Sequence, residues 1–264
     1  MKPARFEYVR PDSLEEAVEA LAVGGDEAKV LAGGQSLVPA LNMRVLRPSL
    51  LLDVNRVVGL DEVTTNGAMT IGATVRQADA RLRAHPLLAE VLPHVGHFVT
   101  RNRGTVGGSI AHADAAAELP LALVAAEGSI VTVSRDGRRS IPADEFFLGP
   151  FTTALSPHEL VVETVWPAPR DGEAFAFEEL AQRGGDFALC MAAARVHGGA
   201  LRVVIGSVVP APTVLEVDPS RPGESAAEQV EPWGSIHASP AYLRQLVRVL
   251  VDRAVARARE RAAG

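Results

Sequence analysis

Two pairs of adjacent glycines, Gly33-Gly34 and Gly107-Gly108, constrain the backbone of this chain more than any other feature. Adjacent glycines enter the left-handed region without a Cβ penalty and let another group approach the main chain closely. The first pair lies in Ala32-Gly33-Gly34-Gln35-Ser36-Leu37, directly after a strand-like run, and the second in Thr105-Val106-Gly107-Gly108-Ser109-Ile110. Successive N–H groups in such turns form an anion-binding concavity. Ser36, Thr105 and Ser109 add hydroxyls suited to phosphate oxygens. Two such loops, a domain's length apart in sequence, suit a clamp on a diphosphate, although either one alone is equally well an ordinary turn. Neither matches Gly-x-Gly-x-x-Gly, and the chain has no P-loop Gly-Lys-Ser/Thr, which disfavours a Rossmann site or a P-loop NTPase.

Composition narrows the partners. With 264 residues, 47% of them hydrophobic, the chain can bury the core of one large domain or two modest ones. Charged residues at 22% are ordinary for a globular protein, and a net charge of -6 argues against nucleic acid as the main partner. The single cysteine, Cys190, excludes an internal disulfide, an iron–sulfur cluster and a cysteine-rich zinc site. It sits in the apolar run Phe187-Ala188-Leu189-Cys190-Met191-Ala192 and reads as a small core residue. His94 and His97 are three apart with no third ligand, so they, like His112, read as solvated or structural, and no metal site is expected. The opening residues carry no apolar signal-peptide region and no run approaches membrane-spanning length, so the expected location is the cytoplasm, with no membrane span.

Periodicity predicts an α+β chain. Ser13 and Glu16 have capping-box spacing ahead of a helix carrying Leu14, Ala17, Val18 and Leu21, which Gly24-Gly25 ends. Strands are expected at residues 29–32, 50–54, 69–73, 160–166, 174–180 and 201–209, with a hairpin of residues 129–134 and 138–141 around Asp136-Gly137. Helices are expected at residues 37–43, at 74–84 with Thr74/Gln77 as capping box, and at 87–98 with an interruption at Pro93. Residues 115–126 form an apolar run broken by Pro120, and residues 219–231 read as a polar loop. A final helix, 239–262, places Leu243, Leu246, Val247, Leu250, Val251 and Ala254 on one face and turns its arginines to solvent. The turn-rich stretch Pro167-Ala168-Pro169-Arg170-Asp171-Gly172 is a candidate domain boundary.

The segments Lys29-Val30-Leu31-Ala32-Gly33-Gly34-Gln35-Ser36-Leu37 and Arg103-Gly104-Thr105-Val106-Gly107-Gly108-Ser109-Ile110-Ala111-His112-Ala113-Asp114 resemble the two flavin loops of the FAD-binding (medium) subunits of the xanthine dehydrogenase and aerobic carbon monoxide dehydrogenase family of molybdenum hydroxylases. Phe6-Glu7-Tyr8-Val9-Arg10-Pro11, Leu52-Asp53-Val54-Asn55-Arg56 and the run from Ser235 to Arg244 also resemble that family, in the same order. The resemblance implies a two-lobed FAD-binding domain of the PCMH/VAO type over residues 1–168, with lobes of about 1–56 and 57–168, and a smaller α+β domain over 173–264. It implies that Ala32, Gly33, Gly34, Gln35, Ser36 and Leu37 wrap the FAD pyrophosphate with Lys29 nearby. Thr105, Gly107, Gly108 and Ser109 would bind from the second lobe, and Asp114 and Glu118 would contact the ribityl or adenosine portion. The alternative for Glu118 is a helix N-terminal charge. Gly185-Asp186-Phe187 matches a family segment whose aromatic shields the flavin ring, and the alternative for Phe187 is a core aromatic. Many relatives carry a lysine just upstream, which this chain lacks in Phe177-Glu178-Glu179-Leu180-Ala181-Gln182-Arg183.

No histidine or cysteine stands in the first loop, so the FAD is expected to be non-covalent. The implied function is that of an oxidoreductase subunit with no substrate-hydroxylating residue of its own. It would pass electrons from a small 2Fe-2S subunit, reduced by a large molybdopterin subunit, through FAD to an external acceptor. Two other readings stay open: a stand-alone flavin oxidoreductase, for which no acid/base pair is visible, and an FAD-free scaffold subunit.

Overall fold

The computed structural model describes residues 2–264, and Met1 lies outside them. The chain opens with β1 (Glu7–Val9), α1 (Leu14–Gly24), β2 (Ala28–Leu31), α2 (Leu37–Asn42) and β3 (Leu50–Asp53). Ser13 caps α1 by accepting the Glu16 N–H at 3.2 Å, and Glu16 accepts the Asp12 N–H at 3.0 Å, one residue further back than the capping box predicts. Gly25, with φ +53, closes the helix. β3 lies between β1 and β2 and is parallel to both. Ala17 and Leu21 of α1 share a core with Leu52, Val54 and Val57.

A second layer system follows: β4 (Val63–Thr65), β5 (Ala68–Gly72), α3 (Pro86–Val91), α4 (Phe98–Arg101), α5 (Val106–His112), α6 (Glu118–Ala125), β6 (Ser129–Ser134), β7 (Gly137–Pro142), α7 (Ala143–Phe146), β8 (Phe147–Gly149), β9 (Thr152–Thr153) and β10 (Leu160–Pro167). Its main sheet is antiparallel, in the order β4-β5-β10-β6-β7. The expected hairpin is there, with Ser134 paired to Gly137. All of α6 is buried. Pro120 does not break it, because it stands in the first turn, where no N–H is owed to a helical acceptor.

Residues 74–84 correct the expectation of a helix. Their donors bond at long range instead: Thr74 N–H to Leu60 O at 2.8 Å, Gln77 N–H to Gly104 O at 2.9 Å, and Ala78 N–H to Arg101 O at 3.1 Å. Only a 3-10 turn, Ala80–Ala84, survives, capped by Asp79 rather than Thr74.

The rest comprises β11 (Ala174–Ala181), β12 (Ala188–His197), β13 (Ala200–Gly206), β14 (Thr213–Leu215), α8 (Pro222–Glu228) and α9 (Pro240–Ala263). The four strands form an antiparallel sheet in chain order. β12 is covered on both sides: Cys190, Ala192 and Ala194 enter the core made with α9, while Met191 and Ala193 enter the core made with α6. Small side chains there let both layers approach. The expected loop over 219–231 contains α8, whose Pro222 takes the first helical position and whose Gly223 N–H donates to Asp252 of α9 at 2.8 Å. A Cβ on Gly223 would overlap the Arg248 carbonyl oxygen, so this polar segment is held by close packing on α9. The apolar face expected for α9 is buried as read. Its arginines are not all turned to solvent: Arg257 donates to Phe177 O at 2.9 Å and to Glu178 at 2.6 Å, and Arg261 pairs with Glu90 of α3. The core is continuous across the segment 167–172, since Phe175, Phe177, Met191 and Val204 pack with α6 residues and Trp166.

Candidate functional site

β2 delivers the chain into residues 32–37, and β3 braces that loop from the side. Asn55, just beyond β3, donates its amide to Ala32 O at 2.8 Å. Its own N–H and amide are held by Asp53 Oδ1 at 3.0 and 2.6 Å. Tyr8 of β1 donates its hydroxyl to the other oxygen of Asp53, with Arg10 Nε 3.6 Å away. Burial alone would raise the Asp53 carboxyl; the bonds from Tyr8 and Asn55 outweigh it and hold the group below its usual range.

Gly34 has φ +72, a turn that only glycine makes without strain. Among the described residues, the five consecutive N–H groups of Gly33 to Leu37 find no acceptor, and the Ser36 hydroxyl makes no hydrogen bond. Gly33, Gly34 and Leu37 are half-buried and Gln35 and Ser36 exposed, and such a run of unspent consecutive donors suits an anion nest.

The second loop is built oppositely. Thr105 is buried and caps α5, its hydroxyl oxygen accepting the Gly108 N–H at 3.0 Å. Val106 N–H donates to Val75 O at 2.9 Å, Gly107 N–H to Ala73 O at 3.1 Å and Ser109 N–H to Thr105 O at 3.1 Å. Every main-chain donor from Val106 to Ser109 is therefore spent within the fold, and the Ser109 hydroxyl makes no hydrogen bond among the described residues. Gly107 is a glycine because a Cβ would stand 2.6 Å from Ala73 Cα. The two glycine pairs are thus built differently: loop one carries the free main-chain donors, and loop two stands opposite as a braced wall that offers the Ser109 hydroxyl. Gly108 forms that wall, and a Cβ built on it would lie 3.6 Å from the Cβ of Ala32 in the first loop.

Gly33 also has a role the sequence did not suggest. A Cβ there would overlap the Arg103 carbonyl oxygen and stand 2.8 Å from Gly104 Cα, so its missing side chain lets the two loops meet. Lys29 projects from β2 and is exposed. Asp114, half-buried, accepts the Ala116 N–H at 2.9 Å and shapes the turn into α6. Glu118 is the first residue of α6, which fits the helix N-terminal alternative, and it is buried to 6% exposure. Burial, with Glu179 and Asp114 adding and His94 opposing, pushes its carboxyl up to about 7. Phe187 is 72% exposed in the loop between β11 and β12, which overturns the core alternative. That loop is seated against His97, the residue just before α4, since a Cβ on Gly185 would stand 2.5 Å from His97 Nδ1. Cys190 is fully buried, and burial pushes its thiol up to about 12, which makes it an inert core residue.

A model of the family described as the FAD-binding domain in molybdopterin dehydrogenase matches residues 4–169. The chain belongs to that family. Across its length this FAD-binding family member is 39% identical to the 6-hydroxypseudooxynicotine dehydrogenase complex subunit alpha of Paenarthrobacter nicotinovorans, covering 99% of this chain and 97% of the relative. Among solved structures it superposes on a chain of the carbon monoxide dehydrogenase of Hydrogenophaga pseudoflava with a TM-score of 0.93 and 33% identity, covering 99% of each. It superposes on a chain of quinoline 2-oxidoreductase from Pseudomonas putida 86 with a TM-score of 0.91 and 35% identity, again over 99% of each. The expected α+β fold with its FAD-binding domain is therefore correct.

The residues present fit FAD. A diphosphate needs a row of unspent donors, and loop one offers one, in a turn that Gly34 makes at φ +72. Asn55, Arg76 and Tyr8, which brace the loops, were missed as site residues in the sequence. Tyr8 and Asn55 lay in stretches that resembled the family but carried no visible chemistry there. Arg76 was hidden inside the mistaken helix 74–84.

Proposed function

We propose that this chain is the flavin-carrying subunit of a molybdenum hydroxylase complex. In this reading Ala32, Gly33, Gly34, Gln35, Ser36 and Leu37 hold the FAD diphosphate, with Lys29 adding positive charge nearby. Thr105, Gly107, Gly108 and Ser109 form the opposing wall, Gly108 facing the cofactor and Thr105 and Gly107 keeping it rigid. Asp114 and Glu118 serve the ribityl or adenosine portion, and the exposed Phe187 covers one face of the flavin ring. The absence of histidine and cysteine from residues 29–37 supports non-covalent attachment. The observation that carries this reading is the five-donor loop, in a chain of a family defined by FAD.

FAD, when bound, supplies a carrier that accepts electrons and releases them singly or in pairs. The chain's own residues bind it, fix its orientation and exclude water from its diphosphate. The single cysteine leaves iron–sulfur ligation to another chain, which supports a small 2Fe-2S subunit and a large molybdopterin subunit as partners, with an external electron acceptor on the other side. Relatives bearing complex-subunit and medium-chain names support the same division of labour. Residues 1–168 are assigned to the FAD-binding part and 173–264 to the C-terminal part. No helix among the described residues is long and apolar enough to cross a membrane, and the cytoplasm is the proposed location.

An absorbance spectrum of the purified chain before and after heat denaturation tests the reading. Flavin bands that move into the supernatant, with FAD as the released species, are expected. A colourless chain that also takes up no added FAD would leave only the scaffold reading.

A further inference from the structure

Arg76 occupies the seam between the two loops. Its backbone pairs with Thr105 of the second loop as an isolated antiparallel bridge. Its side chain crosses to the first: Nη2 donates to Asn55 Oδ1 at 2.7 Å, and Asn55 in turn holds Ala32 O. Nη1 donates to Arg103 O at 2.6 Å, the same carbonyl oxygen against which Gly33 is packed. One guanidinium therefore fixes Ala32 through Asn55, and fixes directly the carbonyl that Gly33 abuts.

The arginine is poorly neutralised for a group so placed. No carboxylate lies within ion-pair distance of it among the described residues, and both acceptors it uses are neutral. The nearest acid in this network, Asp53, is occupied by Tyr8, Asn55 and Arg10. Burial and the like charge of Arg103 press the Arg76 guanidinium down from its usual value, against the pull of Asp53. A planar fork with donors in divergent directions can bridge two acceptors on different lobes, which a lysine ammonium on a single stem cannot do with the same geometry.

We propose that Arg76 is a positioning residue that sets the gap between the two glycine loops, and that it acts on FAD binding through Asn55 and the Arg103 carbonyl. The proposal rests on the reading of this chain as an FAD carrier. It predicts that the core shared by α1, β3, β6 and β10 holds the two layers together without Arg76, so that removing this side chain loosens the loop spacing while leaving that core intact.

The test is a titration of the full-length apo chain with FAD, followed by flavin fluorescence, for wild type, Arg76→Gln, Arg76→Lys, Asn55→Ala and the double variant Arg76→Gln/Asn55→Ala. Arg76→Gln and Asn55→Ala are each expected to weaken FAD binding by roughly 10- to 100-fold. The double variant should be no weaker than the worse single one, because both cut the same relay. Arg76→Lys should fail to restore affinity. Melting of the apo chains should change little, and Arg135→Gln, at an exposed ion pair with Glu19, should bind FAD as wild type does. Wild-type affinity in Arg76→Gln, or strictly additive losses in the double variant, would overturn the proposal while leaving the FAD reading intact. So would a loss of affinity matched by an equal collapse of apo-chain melting in both Arg76→Gln and Asn55→Ala, which would mark a plain folding role. Failure of the wild-type chain itself to take up FAD would overturn the underlying reading, and this proposal with it.

Discussion

Gly33 and Gly108 look alike in the sequence, yet a methyl group added at each meets different neighbours. At Gly33 it meets main chain, the Arg103 carbonyl and Gly104, which cannot move without separating the loops. At Gly108 it meets the Thr105 hydroxyl oxygen at 2.6 Å, a side-chain atom that can rotate at the expense of the α5 cap. Gly33→Ala is therefore expected to weaken FAD binding by roughly 10-fold or more, whereas Gly108→Ala should mainly cost about 1 kcal/mol of cap stability. Parallel FAD titrations and apo-chain melting curves separate the two, and equal effects of both variants on affinity would contradict the asymmetry of the loops. Glu118 yields a second residue-scale expectation. Its carboxyl is raised from 4.5 to about 7, chiefly by burial, so between those values the folded chain holds a proton that the unfolded chain has released. Stability contributed by the protonated form is present below pH 4.5 and is lost as pH rises through 7. Glu118→Gln should flatten that slope and raise apo-chain stability at pH 8 by up to about 3 kcal/mol, with little change at pH 4.5. A thermal melt series from pH 4.5 to 8 reads it, and an unaltered slope in the variant would assign the pH dependence to other groups.

At the scale of elements, the segments read well from the sequence are those whose local pattern and tertiary surroundings agree. α1 has its cap, its apolar stripe and its terminal glycine; β6 and β7 have their alternation and their turn; α9 has one continuous buried face. Residues 74–84 were misread because a capping-box spacing and a helical stripe are satisfied there only if the backbone donors are free to bond locally. They bond instead to Leu60, Arg101 and Gly104, each far away in the chain. β12 was missed for the opposite reason: its alanines suit a helix by propensity, and only coverage by α6 on one face and α9 on the other makes a strand of them. The α9 arginines were assigned to solvent because an arginine's partner is not visible from its own helix. Arg257 and Arg261 in fact tie α9 to Glu90 of α3 and to the carbonyls of β11. Both are about two-fifths exposed, so the tie is discounted for screening. Replacing both with alanine is expected to cost about 1 kcal/mol, a fall of roughly 2–4 °C in melting temperature, which calorimetry would detect. An unchanged melting temperature would make the contacts superficial.

For the molecule as a whole, the binding surface is a seam. The nest belongs to the three-stranded parallel sheet, the wall to the five-stranded antiparallel one, and Arg76 and Gly33 bring them together. The third sheet is not a separate body behind them, since its strands share a core with α6 and its leading loop, with Gly185 against His97 and Phe187 exposed, reaches back to the second sheet's helices. The sequence alone determined the α+β class, the positions of the two glycine loops, the inertness of Cys190 and the family, because these depend on residue identity and short-range order. It also made a flavin site the leading inference, through the resemblance of five ordered segments. Only the tertiary structure decided which loop carries the free main-chain donors, that Thr105 and Gly107 brace the site from inside, and that Arg76 spans it. Those facts depend on where each backbone N–H and each side-chain donor finds its partner. For the contacts that join the two loops the partners lie 20 or more residues away in the chain, as with Arg76 and Asn55 at a separation of 21, and no local pattern records them.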